Sequence, residues 1–254
     1  MYFSTARANI SGPVTGAATV IGTPAPGTDW LFAEGYTGPN FHEYLVLANF
    51  DPSLTATATV KLEYSNGAVD PVTVTVAPQS LTIFDVNAAS AAFAQSTPEL
   101  STEVTSDNPI VAERQEYFRF NQSIQSIPGG TDVIGQPGPA KTSYSFAEGY
   151  TASGFNEFLT LQNPNTTSET VAVTLYMANS ITTQQIVTVG PQTRVTLNIN
   201  SIVIPVAQAN TDAGYAVSMS VQALSGTIVA ERPMYYSYLN GLALGGTDVV
   251  GYTG

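Results

Sequence analysis

Phe32-Ala33-Glu34-Gly35-Tyr36-Thr37 returns 114 residues further on as Phe146-Ala147-Glu148-Gly149-Tyr150-Thr151, and this repetition decides the fold. Working outward, Phe41, Glu43, Leu45, Leu47 and Asn49 recur at the same spacing as Phe155, Glu157, Leu159, Leu161 and Asn163. Pro78-Gln79 and Asn87 return as Pro191-Gln192 and Asn200. Ile110-Val111-Ala112-Glu113-Arg114 returns as Ile228-Val229-Ala230-Glu231-Arg232, and Gly130-Thr131-Asp132-Val133-Ile134-Gly135 as Gly246-Thr247-Asp248-Val249-Val250-Gly251. The spacing drifts by a few residues, which places small insertions in loops. Self-similarity takes precedence over local structure, because a missed repeat misassigns the whole fold. The beginning of the chain then reads as the last part of a preceding copy: Met1-Tyr2-Phe3 lines up with Met234-Tyr235-Tyr236, and Thr19-Val20-Ile21-Gly22 with Asp248-Val249-Val250-Gly251. The expected division is a strand segment and linker over 1–27, one repeat over 28–138 and a second over 139–254.

Within each copy the apolar pattern has period two. Phe41, Glu43, Leu45 and Leu47 alternate with His42, Tyr44 and Val46, and Val72, Val74 and Val76 with Thr73 and Thr75, the pattern of strands with one face inward. Val171 to Tyr176 and Val195 to Ile199 behave alike. β-branched and aromatic residues fill these runs, and Gly, Pro, Asn and Ser punctuate them at the spacing of a β-sandwich. Asn66-Gly67 predicts a hairpin turn with positive φ. Short helices are expected near Ala88 to Ala94 and Ile202 to Ala209. Gln136-Pro137-Gly138-Pro139-Ala140 reads as a stiff connection between copies.

Composition narrows the function classes. Only 10% of the 254 residues are charged, and Lys+Arg 7 against Asp+Glu 19 gives a net charge of -12. Such a field repels nucleic acid and anionic lipid, so neither is an expected partner. With no cysteine there is neither a disulfide framework nor a thiolate metal site nor a Cys nucleophile. No apolar run approaches the ~20 residues of a membrane-spanning helix, and no basic-then-apolar leader opens the sequence, so membrane insertion is not expected.

The series Phe-Ala-Glu-Gly-Tyr-Thr, Phe-x-Glu-x-Leu-x-Leu-x-Asn, Ile-Val-Ala-Glu-Arg and Gly-Gly-Thr-Asp-Val resembles tandem repeats of exported bacterial surface proteins over nearly the whole chain. The middle of each copy also looks like the immunoglobulin-like modules of bacterial adhesion proteins. The resemblance implies an all-β chain of two tandem immunoglobulin-like β-sandwich domains plus an N-terminal strand segment from a preceding repeat, placed extracellularly at the cell surface. It implies no particular ligand. The first copy departs from the pattern with Gln115-Glu116 where the second has Pro233-Met234.

In a chain this poor in charge, the recurrence of Glu34, Glu43, Glu113 and Arg114 as Glu148, Glu157, Glu231 and Arg232 needs a reason. A carboxylate pair could serve acid/base chemistry. Two complete copies fit better a structural ion-pair network that fixes strand register, with Arg114 as the two-pronged partner of Glu34. Asp132 and Asp248 read as turn-capping residues, since no Asp-x-Asp cluster accompanies them to build an oxygen-ligated cation site. His42, the single histidine, reads as an exposed strand residue; its counterpart is Asn156, which argues against a catalytic triad. The aromatic runs Tyr117 to Phe120 and Met234 to Tyr238 could stack on sugars or pack a core. Asn9, Asn121 and Asn165 sit in short glycosylation-like triplets. No catalytic residue, metal or cofactor is expected. The expectation is therefore a structural subunit of a surface fibre, stalk or sheath, a homo-polymer joined by strand pairing through Met1, Tyr2 and Phe3. An adhesin or carbohydrate-binding module, with a glycan as partner, is the alternative.

Overall fold

The structure is a computed structural model and describes residues 2–5, 10–93, 96–122, 125–205 and 215–254. It is all-β with antiparallel pairing throughout the described strands.

The first copy contributes β3 (Gly27–Phe32), β4 (Phe41–Asn49), β5 (Ala56–Tyr64), β6 (Val69–Val76), β7 (Ser80–Asp85), β8 (Leu100–Gln122), β9 (Gln125–Ile134) and β10 (Gln136–Pro137), with the short helix α1 (Val86–Ala89). Long β8 serves both layers. Its first half pairs with β3 and β5, and its second half with β4 and β9. Between the layers lie Trp30, Phe32, Leu45, Leu47, Val60, Leu62, Val104 and Ala112, all fully buried. The core is thus the inward half of each period-two run, as alternation requires. Trp30 closes it by donating its indole N–H to the carbonyl of Ile110 at 3.0 Å.

The second copy repeats the plan with β11 (Ser143–Phe146), β12 (Phe155–Asn163), β13 (Glu169–Met177), β14 (Thr182–Val189), β15 (Thr193–Asn198), α2 (Ile199–Val203), β16 (Val217–Ala223), β17 (Val229–Glu231), β18 (Met234–Tyr238) and β19 (Ala243–Thr247). Leu159, Leu161, Val173, Leu175 and Val221 line its core. Tyr144, at the position of Trp30, donates its hydroxyl to the carbonyl of Ile228, the counterpart of Ile110. What is one strand in β8 becomes β16, β17 and β18 here. Ser225-Gly226 interrupts the run, and Pro233, lacking an N–H, stands where the first copy has Gln115.

The recurring asparagines hold strand ends. Asn87 accepts from the Glu43 N–H at 2.8 Å and donates to the carbonyls of Thr37 and Phe41; Asn200 does the same for Glu157, Thr151 and Phe155. Gln79 and Gln192, after the recurring prolines, both take positive φ, at 49° and 51°.

Three details correct the sequence expectations. The turn after β5 uses positive φ at Gly67 alone, with the Gly67 N–H bonded to the Tyr64 carbonyl; Asn66 instead accepts from the Ala68 N–H. This is the three-residue bulged hairpin rather than the two-residue form. The helices begin earlier than expected, at Val86 and Ile199, because Asp85 and Asn198 cap them; residues 206–209 lie outside the described residues. Gln136-Pro137 is a strand that pairs with β3, so the connection between copies starts as part of the first copy's sheet.

The segment at the chain's beginning forms a hairpin of β1 (Tyr2–Thr5) and β2 (Val14–Ala17). Its register, Tyr2 opposite Ala17 and Phe3 opposite Gly16, matches Tyr117 opposite Gly130 and Phe118 opposite Gly129, and Tyr235 opposite Gly246 and Tyr236 opposite Gly245. It is therefore the same hairpin as the one ending each full copy. It folds back on the first copy: Ile10 and Val14 bury against Tyr117 with Tyr44 alongside, Arg119 donates to the Pro13 carbonyl at 2.7 Å, and Ser11 donates to Asn40. Met1 and Asn9 lie outside the described residues.

Candidate functional site

The two copies meet front to back. The front of a copy carries the Phe-Ala-Glu-Gly-Tyr segment and the recurring arginine. The back carries the outward residues of the β4/β7 or β12/β15 pair. Alternation along β12 and β15 sends Leu159 and Leu161 into the core and Thr160, Gln162, Arg194 and Thr196 outward, against the front of the first copy.

A buried charge network lies in this junction. Arg114 is fully buried and bridges two carboxylates of the second copy: its Nη1 lies 2.9 Å from Glu231, and its Nη2 bonds to Asp248. The Arg114 Nη1 also donates to the carbonyl of Glu34. Glu231 in turn accepts the backbone N–H groups of Ala33 and Glu34 at 3.0 and 3.2 Å. Arg194 runs the opposite way. Its Nη2 pairs with Glu34 at 2.9 Å, and its Nη1 donates to the carbonyls of Gly35 and Leu100. Beside them Gln162 donates to Glu63 at 2.9 Å, and Ser101 donates to the same carboxylate.

Burial sets the protonation of this network. Burial pushes Glu43 up to about 7 against the pull of Arg114, and Glu63 up to about 7 against the amide of Gln162. Glu116 and Asp248 are raised well above the ordinary carboxylate range, first by burial and then by neighbouring carboxylates. Arg114 has burial working against its charge, but Glu231, Asp248, Glu43 and Glu116 outweigh it and hold the guanidinium charged. Desolvation on this scale is tolerable only because the charges pair and accept hydrogen bonds.

The expected residues are therefore partly together and partly apart. Glu34, Glu43, Arg114 and Glu231 share the junction. Glu113 does not; it faces the back of the first copy beside Asp132, and burial and the neighbouring Asp132 raise its pKa. Glu148, Glu157 and Arg232 form the matching front of the second copy. There Arg232 pairs with Glu148 at 2.8 Å and lies 4.0 Å from Glu157, while the Glu148 side chain is 67% exposed. Burial lifts Glu157 to about 8.

Three expectations are corrected. Arg114 meets the Glu34 backbone, not its carboxylate, which belongs to Arg194. Asp248 is an ion-pair partner rather than only a turn cap. His42 is buried, not exposed: it lies 3.2 Å from Asp85 and stacks on Tyr44 at 4.6 Å. Arg194 was hidden because its counterpart is Leu81, so nothing repeats there. The recurring glycine of the Glu-Gly-Tyr segment is explained as well. A Cβ on Gly149 would sit 2.2 Å from the Glu157 carboxylate, and one on Gly35 would sit 2.8 Å from the Leu100 carbonyl.

At the side of the junction opens a cavity of about 340 Å³, lined by Glu34, Tyr36, Phe41, Phe120, Arg194 and Tyr235 among others. Its rings stack on one another, Phe120 on Tyr235 at 4.3 Å and Tyr36 edge-on to Phe41 at 4.8 Å. Asn165 is engaged by Asn163 and Thr227. Among the described residues no group of three or more His, Cys, Asp or Glu could hold a metal ion, and no helix is long and apolar enough to cross a membrane.

No protein-family model matches the sequence, and no curated protein matches it. Solved structures show weak likenesses. Thermotoga maritima 1070 is 15% identical with a TM-score of 0.37, covering 44% of this chain and 96% of its own. The Anabaena sensory rhodopsin transducer is 19% identical with a TM-score of 0.31, covering 38% and 91%. A serine-rich repeat adhesion glycoprotein of Streptococcus agalactiae is 10% identical with a TM-score of 0.19, covering 85% and 89%. Likenesses of this strength carry no argument about function.

Proposed function

We propose that the chain is a structural element of an extracellular surface assembly, a fibre, stalk or sheath built from tandem β-sandwich repeats. The supporting observation is the junction itself. Arg114, Glu231 and Asp248, candidates for an active site by residue type, instead join one copy to the next, buried and paired across the contact. A catalytic carboxylate needs access to substrate, and these two have none, though Glu34 borders the cavity beside them and Glu148 stands exposed on the second copy's front. With only 10% of its residues charged, the chain relies on Thr, Ser, Asn, Gln and Gly for its polar surface, which suits a repeated module outside the cell. Immunogold electron microscopy of the source cells is the direct test. Label on surface structures is the expected result, and label confined to the cell interior would overturn the reading.

A glycan-binding role is the second reading, favoured by the aromatic-lined cavity at the junction. Saturable retention on a glycan array, lost in Tyr36→Ala, would establish it. The stacking of these rings on one another argues for packing instead.

A further inference from the structure

The front of the first copy is closed by the back of the second, whereas the front of the second and most of the back of the first are open. We infer that the open front of the second copy binds the open back of the first copy of another molecule of this chain, in the arrangement that joins the two copies within one chain. This deepens the structural reading above and rests on it.

Four placements carry the inference. First, Leu81 and Ile83 are 58% and 61% exposed at the positions of Arg194 and Thr196, which are sheltered in the second copy. The slot that receives Arg194 in the first copy has an open counterpart in the second, a groove of about 370 Å³ lined by Glu148, Gly149, Tyr176, Met177 and Val217. An apolar Leu81 suits that groove.

Second, Glu113 and Asp132 occupy the positions of Glu231 and Asp248, and neither has an ion-pair partner among the described residues. Arg232 occupies the position of Arg114, the cation that bridges Glu231 and Asp248. The docked arrangement brings Arg232 between Glu113 and Asp132.

Third, the polar pair Glu63 and Gln162, which meets across the internal junction, has Tyr176 and Ala48 as its counterparts. The carboxylate and the amide are both replaced at the open contact, and the Tyr176 hydroxyl already bonds with Ser220 at 3.1 Å, so neither side is left with an unpaired polar group at these positions.

Fourth, Ile10 and Val14 of the N-terminal hairpin sit on Tyr117 where Ile127 of the β8 and β9 hairpin sits with Tyr235; Val14 occupies the place of Ile127. In the docked pair the hairpin of β18 and β19 from the other molecule takes that place. The N-terminal hairpin is therefore an intramolecular competitor for it. The contact is head-to-tail, so it does not close on itself and extends into a filament.

Sedimentation velocity on the full chain tests this. The unsubstituted chain should associate as concentration rises. Val14→Asp, which loosens the hairpin from Tyr117, should strengthen association at least tenfold. In that background Leu81→Arg blocks the back and Tyr176→Arg blocks the front; both positions are exposed, and each substitution should weaken association at least about tenfold. Mixed together, the two blocked chains should form a 1:1 dimer and stop, since one open front and one open back remain. Near-UV circular dichroism from buried Trp30 reports that the first copy is folded. The inference is overturned if the unsubstituted and Val14→Asp chains both stay monomeric with that signal intact. Association that survives Leu81→Arg, or blocked chains that fail to pair, would overturn it too. Surface labelling without self-association would defeat this inference and leave the functional reading standing; self-association with intracellular labelling would do the reverse.

Discussion

Arg114 and Arg232 hold equivalent positions, so replacing each by leucine separates the effect of coverage from that of local structure. Arg114 is fully buried and faces Glu231 and Asp248 across the junction, with Glu43 and Glu116 nearby. Its loss leaves uncompensated buried carboxylates, and breaking a buried pair from one side costs about 3–5 kcal/mol. Arg232 pairs with a Glu148 side chain that is 67% exposed and stands 4.0 Å from Glu157. Arg232 is itself buried, but the carboxylate it pairs with is open to water, which can take over much of what the arginine supplies to Glu148, so its loss falls short of the full cost of breaking a sealed pair. Arg114→Leu should therefore destabilise the chain several-fold more than Arg232→Leu. The assay is urea unfolding followed by the fluorescence of Trp30, the chain's one tryptophan, which lies in the first copy, and by far-ultraviolet circular dichroism, which reports both copies. The two signals should coincide in the unsubstituted chain and separate in Arg114→Leu, because the junction that couples the copies is broken. Equal costs for the two substitutions, with coincident signals in both, would refute the claim that the second copy seals the network.

Stability should fall as pH rises from about 4.5 to about 8. Glu43 and Glu63 titrate at about 7 and Glu157 at about 8 in the folded chain, all above their unfolded values, so their contribution is fully present below about pH 4.5 and is lost as pH rises through 7 to 8. Each group adds a slope of up to about 1.4 kcal/mol per pH unit, and Glu157→Gln should flatten the profile between pH 5 and 8 measured by urea midpoints. Gly149→Ala should destabilise by about 1–3 kcal/mol, since the new methyl group meets the Glu157 carboxylate; a thermal midpoint at or above that of the unsubstituted chain would count against this packing. Asn87→Ala and Asn200→Ala should cost similar amounts, about 1–3 kcal/mol each, because each side chain accepts one backbone N–H and donates to two carbonyls at matching sites; thermal melts of both variants test it.

The fold was legible because the features that specify it repeat. Period-two runs such as Leu45, Leu47 and Leu159, Leu161 name the inward face directly, and both sets are buried. The asparagines and the positive-φ glutamines recur because each copy needs the same strand ends tied. What was not legible depended on one copy differing from the other. The long strand breaks between β16 and β17 at Ser225-Gly226 and between β17 and β18 at Pro233, and sequence alone shows these residues without showing that β8 runs unbroken at the matching positions. Period two places His42 on the outward face of its strand, yet an outward position is not thereby an exposed one. That face is covered: Tyr44 stacks on the imidazole and Asp85 bonds to it.

The site shows the same limit more sharply. Recurrence groups Glu34, Glu43, Glu113 and Arg114 in one copy and Glu148, Glu157, Glu231 and Arg232 in the other, whereas the junction brings Arg114 of the first together with Glu231 of the second, since a repeat reports what every unit keeps and not what passes between units. A front-to-back contact requires complementary residues on opposite faces, and these need not recur together. Arg194 replaces Leu81 where it has Glu34 to meet, and Gln162 replaces Ala48 where it has Glu63 to meet. The informative signal was therefore the set of positions at which the copies disagree. Read face against face, those differences pair up: basic with acidic and amide with carboxylate at the closed junction, leucine with a groove and alanine with tyrosine at the open ends. Independent surface drift would scatter such changes over both faces without matching them, whereas a contact that must be remade at each junction constrains both sides at once.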